Sequence, residues 1–111
     1  MSEIDAGRAA AILRRIRDQV SAGDFRVTQH AQQEMAVEFI TLSEVQEAIA
    51  RGQILEDYPY HRRGPCCLLG GFTNDDRALH IVCTAARPVS IIITVYEPKL
   101  PKWVTPVQRR Q

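Results

Sequence analysis

Apolar residues near the start of the chain recur with a helical period. Ile12, Ile16 and Val20 are spaced by four, and Leu13 widens their stripe. Arg8, Arg14, Arg15 and Arg17 fall mostly off it. That pattern predicts an amphipathic helix over residues 6–22. Gly23 stands where a C-terminal cap is expected. FRVT, at 25–28, alternates apolar and polar as a short strand does. HAQQEMAVEF, at 30–39, reads as a second helix. Thr28 is its N-cap, which puts His30 in the first turn. Thr41 followed by Glu44 has capping-box spacing, and Leu42, Val45, Ala48 and Ile49 form the stripe of a third helix that Gly52 closes.

After Gly52 the period becomes extended. QILEDY (53–58), CCLLGGF (66–72), ALHIVCTA (78–85) and VSIIITVYEP (89–98) read as four strands. The Ile/Val run of the last suits a central strand covered on both faces. PYHRRGP is a loop punctuated by Pro59, Gly64 and Pro65, and TNDDR is a turn. The tail KLPKWVTPVQRRQ, with two prolines and a basic end, is expected to be loosely held apart from Trp103. This order predicts an α+β two-layer sandwich, with about three helices on one face of a mostly antiparallel sheet of four to five strands. The division it suggests is an N-terminal helix extension (1–24), a single α+β domain (25–103) and a basic tail (104–111).

Composition narrows the class without naming a function. The 111 residues suit one domain, and 45% hydrophobic with 24% charged residues is ordinary globular usage, which excludes disordered, collagen-like and coiled-coil chains. SIIITV is far too short to span a membrane, and MSEIDAGRAA lacks an apolar signal core, so a cytoplasmic protein is expected. The formal charge is +1, which argues against wholesale electrostatic capture of nucleic acid. The charge is unevenly placed, however. Residues 1–55 hold six Arg/Lys against eight Asp/Glu, and residues 56–111 hold eight against five. The basic second half is led by Arg62, Arg63, Arg87, Lys99, Lys102, Arg109 and Arg110. It is either a solvated face or a phosphate-contacting surface.

Few residues carry chemistry. Walker, G-x-G-x-x-G, H-E-x-x-H and G-x-S-x-G patterns are all absent, and Gly70-Gly71 reads as a bulge or hairpin adjustment. Cys66, Cys67 and Cys83 lack C-x-x-C spacing and read as small buried hydrophobes in a reducing compartment. His30, His61 and His80 have no carboxylate at ligand spacing, so neither a metal nor a cofactor is called for. His80 falls on the opposite strand face from Leu79, Ile81 and Cys83, and is therefore either exposed or lining a cleft. Cleavage of RNA through its own 2′-hydroxyl needs a base, an acid and cations on the phosphate. His30 and His80 titrate in the right range, and Arg62, Arg63 and Arg87 supply cations. Tyr58, Tyr60 or Tyr96 can stack a base or donate a proton, and Tyr96 completes the catalytic candidate set with the two histidines. The bland alternative is that these histidines are structural.

Taken together, FRVTQHAQQEM, ITLSEVQEAIARGQILEDYP, RRGPCCLLGGF, RALHIVCTA and IIITVYEPKLPKW resemble, in this order and spacing, the bacterial family labelled domain of unknown function 4258, over about residues 25–103. The marks are His30-Ala31, the helix ending in Gly52, Leu79-His80, and the ITVYEP run ending near Trp103. Family members often carry an HA-x-x-R-M arrangement, whereas here Glu34 precedes Met35. If that arginine serves a phosphate, its loss weighs against nuclease activity. The order of elements is similar to that of the small ribonuclease toxins of toxin–antitoxin pairs, the BrnT-like and RelE-like group. That likeness implies metal-independent RNA cleavage, RNA as substrate and an antitoxin protein as partner. Those toxins are usually clearly basic, and this chain is near neutral. Two readings stand: a toxin-type endoribonuclease, and a non-catalytic module that binds a protein partner or nucleic acid.

Overall fold

The computed structural model describes residues 5–99 and 103–109. Three helices, α1 (Ala6–Ser21), α2 (Gln29–Glu38) and α3 (Leu42–Ala50), accompany seven strands: β1 (Phe25–Val27), β2 (Gln53–Tyr58), β3 (Cys66–Phe72), β4 (Ala78–Thr84), β5 (Ser90–Tyr96), β6 (Trp103–Thr105) and β7 (Gln108–Arg109). The first five strands form one sheet in the order β1-β5-β4-β3-β2, and β6 and β7 form a separate hairpin. β2 through β5 run antiparallel, as the meander pattern predicts, and β1 adds to β5 in parallel. The fold is therefore α+β with a mixed sheet.

The helix starts follow the sequence signals. Thr28 Oγ1 accepts the Ala31 N–H at 3.1 Å. Thr41 and Glu44 exchange both bonds of a capping box. The end of α2 departs from the usual glycine cap, because Phe39 occupies the left-handed region at φ 55°.

Helices cover one face of the sheet. Ile12, Ile16 and Val20 of α1 enter the same core as Ala31, Val45, Ala48 and Ile49 from the other helices and Leu69, Leu79, Ile81, Ile92 and Val95 from the strands. Burying three such α1 side chains is worth roughly 5–8 kcal/mol, comparable to the whole stability of a small domain. α1 is thus structurally part of this body. The most enclosed strand is β3, with Cys66 through Gly71 all buried, whereas β5 alternates between buried and half-buried positions. The Ile/Val run of β5 overstated its enclosure because its neighbour β1 is only three residues long.

The short β1 leaves much of one edge of β5 without a strand, and α2 closes it. Glu34 accepts the Val95 N–H at 2.9 Å and Glu38 accepts the Glu97 N–H at 3.2 Å. Carboxylates thus stand where ladder carbonyls would. Gly71 lies where the end of α3 presses on the sheet: a Cβ there would sit 2.0 Å from the Ala48 carbonyl oxygen. Gly70 lies under Leu55, whose side chain would be 2.6 Å from a Cβ at that position. Close approach explains the glycine pair, and the bulge lies opposite, in β2 between Ile54 and Glu56.

Candidate functional site

The second face of the sheet is polar and is roofed by the β6–β7 hairpin. Register places Gly70, His80 and Tyr96 in one row across β3, β4 and β5, with Glu56, Leu68 and Val82 in the next. His80 is fully buried and lines a small cavity, so of the two expected positions, exposed or cleft-lining, it takes the second in an enclosed form. The tail is the reason: its residues 103–109 form a hairpin instead of trailing loosely, while Lys102 and Arg110 of the basic set lie outside the described residues. The Trp103 ring packs edge-on to His80 with centroids 4.3 Å apart, and Tyr96 flanks the imidazole at 5.3 Å.

Both ring nitrogens of His80 are engaged. Nε2 contacts the Pro106 carbonyl oxygen, which only accepts, so Nε2 carries a hydrogen. Nδ1 lies 3.2 Å from the Tyr96 hydroxyl, which donates to it when the ring is neutral. Burial raises the Tyr96 pKa, against the lowering influence of Trp103 and Arg109. Farther along this face Arg109 grips Glu56 with two bonds of 2.8 and 2.7 Å, and the Tyr58 hydroxyl donates to the same carboxylate. The Arg109 guanidinium also stacks 4.6 Å from the Trp103 ring centre. Burial pushes the Tyr58 pKa upward, with the Glu56 contact adding to it. Beside His80 lies a cavity of about 90 Å³, lined in part by Arg51, Gln53, Phe72 and Pro106. It has room for a few waters and not for a nucleotide.

A second grouping lies at the other end of the strands. Arg62 and Arg63 are exposed in the 59–65 loop, and Arg87 is exposed in the loop between β4 and β5. Arg87 donates to the Arg63 carbonyl at 2.9 Å, which ties the two loops together. Among the described residues, none of these three guanidinium groups forms an ion pair with a carboxylate. The neighbouring β3–β4 register is Cys66 opposite Thr84, four residues along β4 from His80, a separation of roughly 13 Å at strand rise.

The candidate residues therefore divide. His80 and Tyr96 meet. Arg63 and Arg87 meet, with Arg62 on the same loop. His30 stands apart, exposed in the first turn of α2 and 3.5 Å from Glu34. No hydrogen bond or ion pair joins it to the others among the described residues. Glu56 and Arg109 were the members of the polar face hardest to find by pattern, being 53 residues apart in sequence. An acidic residue within a predicted strand, and an arginine in a tail that also holds the one tryptophan, were the available signals. Cys66, Cys67 and Cys83 are free and buried, and burial together with its Cys67 contact keeps the Cys83 thiol well above its ordinary pKa. Among the described residues no three His, Cys, Asp or Glu side chains are grouped to hold a metal, and no helix is long and apolar enough to cross a membrane.

A family model described as Domain of unknown function (DUF4258) matches residues 27–97. The chain belongs to this family. No curated protein and no solved structure matches it. The DUF4258 span contains His30, His80, Tyr96 and the three loop arginines, while the whole of α1 and the whole β6–β7 hairpin fall outside it. Glu34 lies within the span. Here its carboxylate completes the β5 edge, a backbone role that a cation does not fill.

Proposed function

We propose that this DUF4258 chain is a nucleic-acid-binding module that holds phosphate with Arg62, Arg63 and Arg87 and has no catalytic use for His30, His80 or Tyr96. The observation that carries this reading is the contrast between the two groupings. Three exposed guanidinium groups, without carboxylate partners among the described residues, offer themselves to phosphate oxygens. His80 has both nitrogens bonded and no solvent access. A near-neutral chain is compatible with binding because the cations are gathered at one end.

A second reading is favoured by one specific feature: His80, Tyr96, Tyr58 and Glu56 share one sheet face, and Arg109 of the hairpin pairs with that Glu56. With the hairpin lifted, that face would hold an acid and a base, and Arg109, released from Glu56, would supply a cation for metal-independent cleavage of RNA in the manner of a toxin, with an antitoxin protein as its natural partner.

Purified protein mixed with labelled RNA separates the two. The binding reading expects a mobility shift with intact RNA, lost in the Arg62→Gln/Arg63→Gln/Arg87→Gln variant. It also expects His80→Ala to lower the melting temperature while leaving binding in place. Cleaved RNA, with growth arrest on induction that His80→Ala relieves, would put the toxin-type nuclease first and the binding module second.

A further inference from the structure

The 59–65 loop is held by its own turns. His61 N–H donates to the Tyr58 carbonyl, Arg63 N–H donates to His61 Nδ1 at 3.1 Å, and Gly64 takes φ 91°. This geometry leaves Tyr60 at the tip, 97% exposed, beside Arg62 and Arg63. A lone exposed tyrosine needs no explanation. One fixed among guanidinium groups without carboxylate partners is the arrangement that single-strand binders use, with a ring for a base and cations for its flanking phosphates.

The cationic surface also continues past the family span. Arg15 of α1 donates to the Arg87 carbonyl at 2.9 Å, and Gln19 donates to the same oxygen at 2.7 Å while its own carbonyl accepts from Ser90. α1 is thereby stitched to the Arg87 loop. Arg14 and Arg15 are exposed there, and an open hollow of about 430 Å³ lies between them, Asp18, Gln19 and Pro88. Asp18 is the one carboxylate lining that hollow, and it forms no ion pair with either arginine among the described residues. The line from Tyr60 through Arg62, Arg63 and Arg87 to Arg15 and Arg14 passes over three separate elements joined by hydrogen bonds.

We infer that this line is a binding track for single-stranded RNA, in which Tyr60 stacks a base and Arg14 and Arg15 contact phosphates beyond those held by Arg62, Arg63 and Arg87. The inference rests on the proposed binding function and specifies its ligand. Double-stranded RNA presents stacked, paired bases, so Tyr60 has nothing to stack against and the duplex binds more weakly.

The test is fluorescence anisotropy with a labelled twelve-nucleotide single strand and the same sequence as duplex, across a salt series. Tyr60→Ala is expected to weaken single-strand binding about tenfold, with Tyr60→Phe restoring it. Arg14→Gln/Arg15→Gln is expected to lower the slope of log affinity against log salt by about 1.4, at about 0.7 per phosphate contact. Tyr60 and Arg14 make no side-chain bond to the fold among the described residues, so Tyr60→Ala and Arg14→Gln should melt with wild type, whereas Arg15→Gln gives up its bond to the Arg87 carbonyl and should melt slightly lower. If Arg62→Gln/Arg63→Gln weakens binding while Tyr60→Ala and Arg14→Gln/Arg15→Gln do not, the track is wrong and the binding function survives. Duplex bound as tightly as single strand also overturns the track. If wild type binds neither RNA, the binding function and the track fall together.

Discussion

Arg77 and Arg109 on one hand, and Arg62, Arg63 and Arg87 on the other, are the same side chain in opposite circumstances. Arg109 is saturated by the buried Glu56 carboxylate and the Trp103 ring. Arg77 is equally occupied. It donates to the Glu38 and Phe39 carbonyls at the end of α2 and to Glu97, the residue just past the end of β5. Among the described residues the loop arginines have no carboxylate partner, and Arg87 donates to the Arg63 carbonyl. An arginine whose donors are used inside the protein works for the fold. An arginine whose donors are left over is free to meet a partner. Summed over the chain, the two kinds nearly cancel against the carboxylates, which is why a net charge of +1 conceals a cationic end.

The sharpest way to break this comparison is Arg109→Ala. Removing the two-bond partner of a carboxylate that is nine-tenths buried should cost about 2 kcal/mol, since the site is partly open to water on the arginine side. Urea unfolding measures it, and a loss below about 0.5 kcal/mol would show that the hairpin contributes little to the folded state. Arg77→Met should cost somewhat less, about 1.5 kcal/mol, by orphaning the two carbonyls at the end of α2. Its folding signal should move with that helix, and amide exchange near residues 35–40 is the readout. The smallest effect on stability belongs to Arg62→Gln/Arg63→Gln/Arg87→Gln, within about 0.5 kcal/mol of wild type, as for exposed groups whose one bond to the fold, from Arg87 to the Arg63 carbonyl, is itself open to water. A larger loss in that variant would mean that the loop arginines serve the fold as well, and the distinction between the two sets would fail.

Much of the element plan was readable in the pattern. The change of period at Gly52 located the meander, and β2 and β3 have the limits their apolar runs and flanking Gly and Pro residues mark. Thr28 and Thr41 marked two helix starts because capping acts over three residues. Burial of His80 was not readable. Alternation assigned it to the face away from Leu79 and Ile81, but what covers that face comes from the tail. The tail's hairpin has two short strands with a proline between them and no alternation to mark it. The parallel pairing of β1 with β5 was also hidden, because Phe25 and Ser90 are brought together by everything that folds between them.

Sequence alone determined the parts whose physics is short-ranged: helical and extended periods, the caps, the loop composition, the DUF4258 marks around His30 and His80, and the uneven placement of charge. Tertiary structure decided which of those charges are spent and which remain. Glu56 met Arg109, Glu34 closed the β5 edge, and Arg15 met the Arg87 loop, each across dozens of residues. Whether a guanidinium is satisfied depends on what lies within a few ångströms of it, and for distant residues that follows from how the whole chain packs and not from neighbours along it.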